Sequence, residues 1–336
     1  MTLSTSQASA DPPGAETRAF SLADARLPIA VTGAVVLAIV LVYTVGGRDP
    51  GLVTQSIVTG LLLGGVYALV SVGLTLIFGV LGIVNFAQGS MLTLAMFLVY
   101  VMGHSFGIPV YVATVVAIPI MFGFGWLVQL LLLNKLTISG NENGPLLITL
   151  GLSLLIVNVL LMVFGGRPLS VPGTVDGSFT VLGALVSYER LIAFGGALLV
   201  ALLLTLALRK TSLGLAIRAV SSNSQGAALV GVNVGRIYAL TFAIGSACVA
   251  VAGGLVAPFI SLTPSVGEQF TILAFVIVVL GGLGSVVGAT VGGLVIGLVQ
   301  TVGALYLPGT GSLILVFAVF VLVLFFRPQG MFGAKQ

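Results

Sequence analysis

The segment RKTSLGLAIRAVSSNSQGAALVGVNVGR, residues 209–236, separates two long apolar runs and carries basic residues without a single acid. Its basic residues are Arg209, Lys210, Arg218 and Arg236. Asn223 or Ser224 can cap a short helix over SQGAALV, and Gly231 can end that helix. A short capped helix between two membrane spans has the right shape to enter a groove on a soluble partner. A solvated connecting loop is the alternative interpretation, and the sequence on both sides decides between them.

The composition of the chain is that of a membrane protein. It has 336 residues, of which 58% are hydrophobic and 6% are charged, whereas a soluble domain carries roughly 25% charged residues. The net charge of +4 does not indicate a nucleic-acid partner, because the basic residues are spread over segments that flank apolar runs. One histidine and one cysteine, Cys248, cannot form a metal site or a disulfide framework. We therefore predict a polytopic membrane protein with no metal site and no catalytic residue.

Apolar runs follow one another along most of the chain. Residues 1–26 form a polar, flexible tail, and residues 27–46 form a first run of about 20 residues, enough to cross ~30 Å of hydrocarbon. Further runs lie at 57–79, 90–103, 109–133, 145–164, 190–208, 237–260, 270–283, 287–304 and 312–326. Backbone groups in lipid must be hydrogen-bonded within their own segment, so these runs are predicted to be helices. The predicted fold is an all-α polytopic bundle of about 8–10 transmembrane helices over residues 27–334.

The basic residues predict the orientation of the bundle. If the N-terminus is cytoplasmic and ten crossings alternate, nine basic residues fall inside and three fall outside, which is the bias expected for cytoplasmic loops. The inside residues are Arg18, Arg26, Lys135, Arg209, Lys210, Arg218, Arg236, Arg327 and Lys335. The outside residues are Arg48, Arg167 and Arg190. Both termini and the segment 209–236 are therefore predicted to be cytoplasmic.

The largest predicted outer loop, residues 165–189, contains Pro168, Pro172 and Gly173 and is typical of turns and short strands. Such a loop can receive a protein that delivers substrate, or it can simply cap the bundle. The sequence favours neither interpretation over the other.

Two stretches interrupt the apolar runs. In residues 67–91, Asn85 and Gln88 lie in a region without charge, where two crossings must fit into the 47 residues of 57–103. The turn between them is predicted to be short or buried at membrane depth, where the two amides either line a polar path or join helices by hydrogen bonds. In residues 280–297, glycines recur every four residues, which favours close helix packing over a broken helix along the path.

Four landmarks in this order resemble the permeases of the branched-chain amino acid ABC importer family, over residues 55–333. They are GLLLGGVYALVSVGLTLIFGVLGIVNFAQG at 60–89, GLAIRAVSSN with AALVGVNVGRIYALTFAIG within 214–245, VVLGGLGSVVGATVGGLVIGLVQ at 278–300, and RPQGMFG at 327–333. Gln88 stands where the family usually has histidine. Similar permeases carry urea and aromatic acids, so the residues leave the cargo open among these small solutes.

The resemblance implies a permease bundle with broken or re-entrant segments in the plasma (inner) membrane. It implies a homologous second permease subunit, two cytoplasmic ATPase subunits and an extracytoplasmic substrate-binding protein as partners, with ATP bound by the ATPases and no cofactor in this chain. Residues 209–236 match the family's cytoplasmic coupling loop. The candidate docking residues in that loop are Arg218, Asn223, Ala227, Ala228 and Gly231.

The chain is not expected to hydrolyse ATP, because a phosphate-binding loop needs glycines before Lys and Ser or Thr. Lys210 and Thr211 are instead preceded by LALR. The candidate liners of the substrate path are polar, uncharged residues within spans, namely Tyr67, Ser71, Asn85, Gln88 and Gln300. An ion-coupled carrier or a channel is the alternative function. Carriers usually place ionisable groups inside the bundle, whereas all eight acids here fall in the tail, in loops or at span ends.

Overall fold

The computed structural model describes residues 49–138, 143–175, 177–181, 183–307 and 309–332. The predicted tail 1–26 and the first predicted crossing 27–46 lie outside the described residues. Every later predicted run coincides with a helix, which confirms the all-α membrane fold. Within the described ranges, seven helices are long and apolar enough to cross a membrane, and two shorter apolar helices, Val266–Gly281 and Gly311–Phe326, accompany them.

The helices in the first half of the chain are α1 (Pro50–Leu81), α2 (Gln88–Phe106), α3 (Val110–Val128), α4 (Asn134–Ile138) and α5 (Asn143–Phe164). A π-helical turn, Gln129–Leu133, joins α3 to α4. A two-stranded antiparallel hairpin follows, formed by β1 (Ser178–Val181) and β2 (Ala184–Ser187). The helices in the second half are α6 (Tyr188–Lys210), α7 (Ser212–Ser222), α8 (Ser224–Leu229), α9 (Val234–Val256), α10 (Val266–Gly281), α11 (Val286–Tyr306) and α12 (Gly311–Phe326).

Helix α1 is the central element of the bundle. Asp49 caps it by accepting a hydrogen bond from the Gly51 amide at 3.1 Å, and Gly82 ends it in the left-handed conformation at φ 69°. Its 32 residues give a length of about 48 Å, well beyond the hydrocarbon thickness of ~30 Å. Helices α1 and α9 are mostly buried, whereas α5 and α6 expose most of their surface. The core therefore lies around α1 and α9.

Helix α11 packs antiparallel to α1 through small residues. A Cβ added at Gly293 would lie 2.5 Å from the Ala68 Cα, and one added at Gly297 would lie 2.5 Å from the Gly64 Cα. The two backbones are therefore in direct contact, which glycine permits at these two positions and a residue with a Cβ does not. This confirms that the glycine repeat in 280–297 is a packing surface.

The linker between α1 and α2 folds back into the bundle. Its turn at Gly82 reverses the chain. The side-chain amide of Gln88 then donates a hydrogen bond to the backbone carbonyl oxygen of Val70 at 3.2 Å. Val70 lies eleven residues before Leu81, which corresponds to roughly 16 Å along α1. Helix α2 consequently begins inside the bundle, which favours the buried turn over the other predicted alternative, a short turn.

The bundle has two chemically different ends. The hairpin end holds the β1–β2 hairpin, where the Gln55 side chain exchanges hydrogen bonds of 2.6 and 2.9 Å with the Leu185 backbone. The basic end holds α7, α8 and the residues after α12, where the Met331 amide donates to the Leu280 carbonyl at 2.8 Å. Among the described residues, α7, the connection between α10 and α11 and the residues after α12, which alternating crossings assign to one side of the membrane, lie together at this end.

Candidate functional site

The connection between α6 and α9 contains a helix that the sequence did not predict. Thr211 caps α7 by accepting a hydrogen bond from the Gly214 amide at 3.1 Å. Ile217 and Val220, three residues apart on one face of α7, are buried against the end of α1. The signal was present in the sequence as a threonine cap followed by apolar residues at helical spacing.

Helix α8 follows directly and confirms the predicted short helix. The Asn223 side chain caps it by accepting a hydrogen bond from the Gly226 amide at 2.8 Å, and Gly231, at φ 89°, follows its last turn. Ala227 is only 5% exposed and packs into the same apolar cluster as Ile217 and Tyr238. Ala227 therefore anchors α8 to the bundle and offers little surface to a partner.

The opposite edge of α8 presents apolar side chains to the surroundings. Ala228 is exposed, and Leu229 and Val230 are 90% and 79% exposed. We call residues 228–230 the α8 edge. Ala228 is one of the predicted docking residues, whereas Leu229 and Val230, which follow it directly, are not. Their exposure in a connecting segment makes the α8 edge a candidate contact surface.

The charge around the α8 edge is uniformly positive. Arg209, Lys210, Arg218 and Arg236 all belong to the basic end, and the Arg218 guanidinium donates a hydrogen bond to the Leu208 carbonyl. Of the acidic residues that the structure describes, Asp49 and Glu189 lie at the hairpin end, and Glu268 lies in the first turn of α10, next to the Gly267 that contacts Gly89. None of these three carboxylates belongs to the basic end, so the charged side chains described there are all positive.

The predicted path residues fall into two groups around the middle of α1. Asn85 and Gln88 form the first group and have no exposed surface. The side-chain Nδ2 of Asn85 donates a hydrogen bond to the side-chain Oε1 of Gln88 at 3.1 Å. The side-chain Oδ1 of Asn85 accepts a hydrogen bond from the backbone amide of Ala87 at 3.0 Å. In this conformation the two side chains hold the buried linker against α1 at Val70.

The second group contains Tyr67, Ser71 and Gln300. The Ser71 hydroxyl donates to the Tyr67 carbonyl at 2.7 Å, and the Tyr67 ring meets Phe270 edge-on at a centroid distance of 5.6 Å. The Tyr67 side chain also interacts with that of Gln300 on α11, which is half-buried. This group joins α1 to α11 by a polar contact and α1 to α10 by an aromatic contact.

The loop at the hairpin end caps the bundle. Its β1–β2 hairpin confirms the predicted short strands, and Gln55 ties β2 to α1. Leu169 and Leu262 exchange backbone hydrogen bonds of 2.9 and 2.8 Å, which joins this loop to the connection between α9 and α10. A role of the same surface in receiving a delivery protein stays a prediction.

The family model described as "Branched-chain amino acid transport system / permease component" matches residues 56–324. The chain is 31% identical over 296 residues to the high-affinity branched-chain amino acid transport system permease protein BraD of Pseudomonas aeruginosa, and 30% identical to the corresponding protein LivH of Escherichia coli K12. Each alignment covers 84% of this chain and 96% of the relative. No solved structure matches the chain. Both relatives are named as permease proteins, and the helices described above are those of a multi-pass membrane protein. The chain therefore belongs to the family of permease components of branched-chain amino acid transport systems.

Proposed function

We propose that this chain is the permease subunit of an ABC importer that moves branched-chain, aliphatic amino acids into the cytoplasm. In this assembly it pairs with a homologous second permease, takes substrate from an extracytoplasmic binding protein and is driven by two cytoplasmic ATPase subunits. The observation that carries the proposal is the α8 edge, an exposed apolar surface on a capped helix within the connection between two spans.

The geometry of α8 suits docking on a soluble subunit. Its N-terminus is capped by Asn223, its inner face is anchored by Ala227, and its outer edge is left for contact. A helix anchored in this way can transmit the movement of a partner to the spans that flank it, α6 and α9. Arg218, which is bonded to the Leu208 carbonyl at the end of α6, adds a second link between this segment and the spans.

The sidedness of the proposed assembly follows from the charges. Cytoplasmic segments of membrane proteins carry an excess of lysine and arginine, and the basic end carries the arginines that flank the α8 edge. We therefore place the basic end in the cytoplasm, together with both termini, and the hairpin end outside the plasma membrane. The ATPase subunits then meet α8, and the binding protein meets the hairpin end.

The cargo is inferred from the chemistry of the bundle interior. The buried polar side chains are hydroxyls and amides, with no charged group among the described buried residues. A path built from such groups binds weakly a small solute without net charge, such as an aliphatic amino-acid zwitterion. The names of the two relatives agree with this cargo, and urea or aromatic acids in the same architecture are the alternative.

The path residues are proposed in two roles. Tyr67, Ser71 and Gln300 are proposed to border the path, because they form a polar contact between α1 and α11. Asn85 and Gln88 are proposed to act by holding the buried linker beside it, since their hydrogen bonds are already satisfied within the chain. An ion-coupled carrier is disfavoured, because none of the described acids is buried in the core. We propose that ATP is bound by the partners alone and that this chain needs no cofactor.

The test is Ala228→Asp, compared with wild type in vesicles reconstituted with the ATPase and binding-protein partners. Placing an unpaired charge in an apolar contact costs several kcal/mol, which is enough to weaken ATPase docking by about a hundredfold or more. The variant should insert normally and lose substrate-stimulated ATP hydrolysis and uptake together.

Ser212→Asp is the matched control, because Ser212 is also exposed at the basic end. The substitution adds the same negative charge at the start of α7, where the helix dipole favours a carboxylate. This control should keep coupling. Normal substrate-stimulated ATPase activity in Ala228→Asp would overturn the docking role of the α8 edge.

A further inference from the structure

A cavity of about 590 Å³ opens at the basic end, separate from the α8 edge. Its walls come from the last turn of α1, the last turn of α6, helix α7 and the connection between α10 and α11. The polar side chains that line it are Thr205, Arg209, Arg218, Ser221 and Ser285. The proposed transport activity assigns no role to this cavity.

The hydrogen-bond donors in the cavity are suited to an anion. Arg218 donates one guanidinium N–H to the Leu208 carbonyl oxygen. Its other guanidinium N–H groups and those of Arg209 can donate to a ligand in the cavity. Ser285 accepts from the Gly288 amide at 3.0 Å, so its own proton can be donated into the cavity. None of the described acidic residues lines the cavity. Two guanidinium groups without a nearby carboxylate form a site for phosphate-like oxygens.

The remaining walls of the cavity are apolar and lie at the level where the spans end. Leu208 is in the last turn of α6, a helix that exposes most of its surface. Leu283 and Val287 line the cavity and are 49% and 42% exposed. A free anion in water gains nothing from such walls, whereas a lipid places its phosphate beside basic groups and its glycerol and acyl carbons against apolar ones.

We propose that this cavity binds the phosphodiester headgroup of an anionic phospholipid, with Arg209 and Arg218 as its charged contacts. The bound lipid bridges the end of α6 to α7 and to the connection between α10 and α11, so it stiffens the part of the bundle that carries α8. This inference concerns lipid binding and holds whatever the cargo of the transporter.

The test uses the purified full chain in detergent, with lipid binding measured by native mass spectrometry. Wild type should retain phosphatidylglycerol in preference to phosphatidylcholine. The double variant Arg209→Gln with Arg218→Gln should bind phosphatidylglycerol about tenfold more weakly, because each lost basic group near a membrane surface weakens anionic-lipid binding several-fold.

The matched control is Arg236→Gln, which removes one exposed arginine from the same end without touching the cavity. This control should keep the wild-type preference, and the single variant Arg209→Gln should lose part of it. Melting curves recorded without added lipid check that the variants are folded.

Three outcomes would overturn the proposal. Equal retention of phosphatidylglycerol and phosphatidylcholine by wild type would show that the site does not select an anionic headgroup. An equal loss in Arg236→Gln would show that general positive charge, rather than this cavity, attracts the lipid. Inorganic phosphate that binds alone and displaces phosphatidylglycerol would assign the cavity to a free anion instead of a lipid.

Discussion

Gly89→Ala is predicted to destabilise the bundle by forcing α2 and α10 apart. Gly89 lies in the first turn of α2 and faces Gly267 in the first turn of α10. A Cβ added at Gly89 would lie 1.8 Å from the Gly267 carbonyl oxygen and 2.3 Å from the Thr271 hydroxyl oxygen. Carbon and oxygen atoms need roughly 3.3 Å, so the two backbones must separate by about 1.5 Å.

The sign of the effect follows from two opposing terms. Alanine is favoured over glycine inside a helix by about 1 kcal/mol. Overpacking a close contact costs about 1–3 kcal/mol or more, and separating the helices also weakens the hydrogen bond of 2.9 Å from the Gly89 amide to the Thr271 hydroxyl. The clash is with backbone, which cannot turn away as a flexible side chain can. We expect a net destabilisation of about 2 kcal/mol.

The assay is thermal unfolding of the purified protein in one detergent, followed by gel filtration of the soluble fraction after heating. Gly151→Ala is the matched control, because a Cβ at that position meets no atom within 4 Å, and its apparent Tm should stay unchanged or rise. Gly267→Ala should resemble Gly89→Ala, since its Cβ would lie 2.0 Å from the Gly89 carbonyl oxygen. An apparent Tm of Gly89→Ala equal to or above that of wild type would refute the reasoning.

Two further predictions concern sidedness and the buried linker. In a Cys248→Ala background, Ser224→Cys should react with an impermeant thiol reagent from the cytoplasmic side and Ser178→Cys from the other side; labelling of both from one side would exclude the proposed orientation. Asn85→Leu leaves the buried Ala87 amide without its acceptor, which costs about 1–3 kcal/mol, so uptake should slow while substrate binding to the delivery protein is unchanged. Wild-type uptake and ATPase activity in that variant would show that the linker acts only in packing.

The sequence by itself determined the class of the protein and the positions of its spans. Each of these features depends on the free energy of placing a few neighbouring residues in hydrocarbon or in a local helix cap. A charge such as Arg209 cannot lie among hydrocarbon tails, so it marks the end of a span wherever the rest of the chain goes. Asn223 and Gly231 specified the limits of α8 in the same way, because a cap is made within one turn of the helix it closes.

Only the tertiary structure decided which side chains are buried in the bundle and which are exposed on its surface. Ala227 and Ala228 are adjacent and chemically identical, yet one is buried and the other is exposed, because the position of α8 on α7 and α9 sets which face is covered. The depth of Gln88 depends on a hydrogen bond to Val70, eighteen residues earlier. The contact of Gly89 with Gly267 joins residues 178 positions apart. Local propensity carries no information about such pairs, because their energy exists only after distant helices have packed.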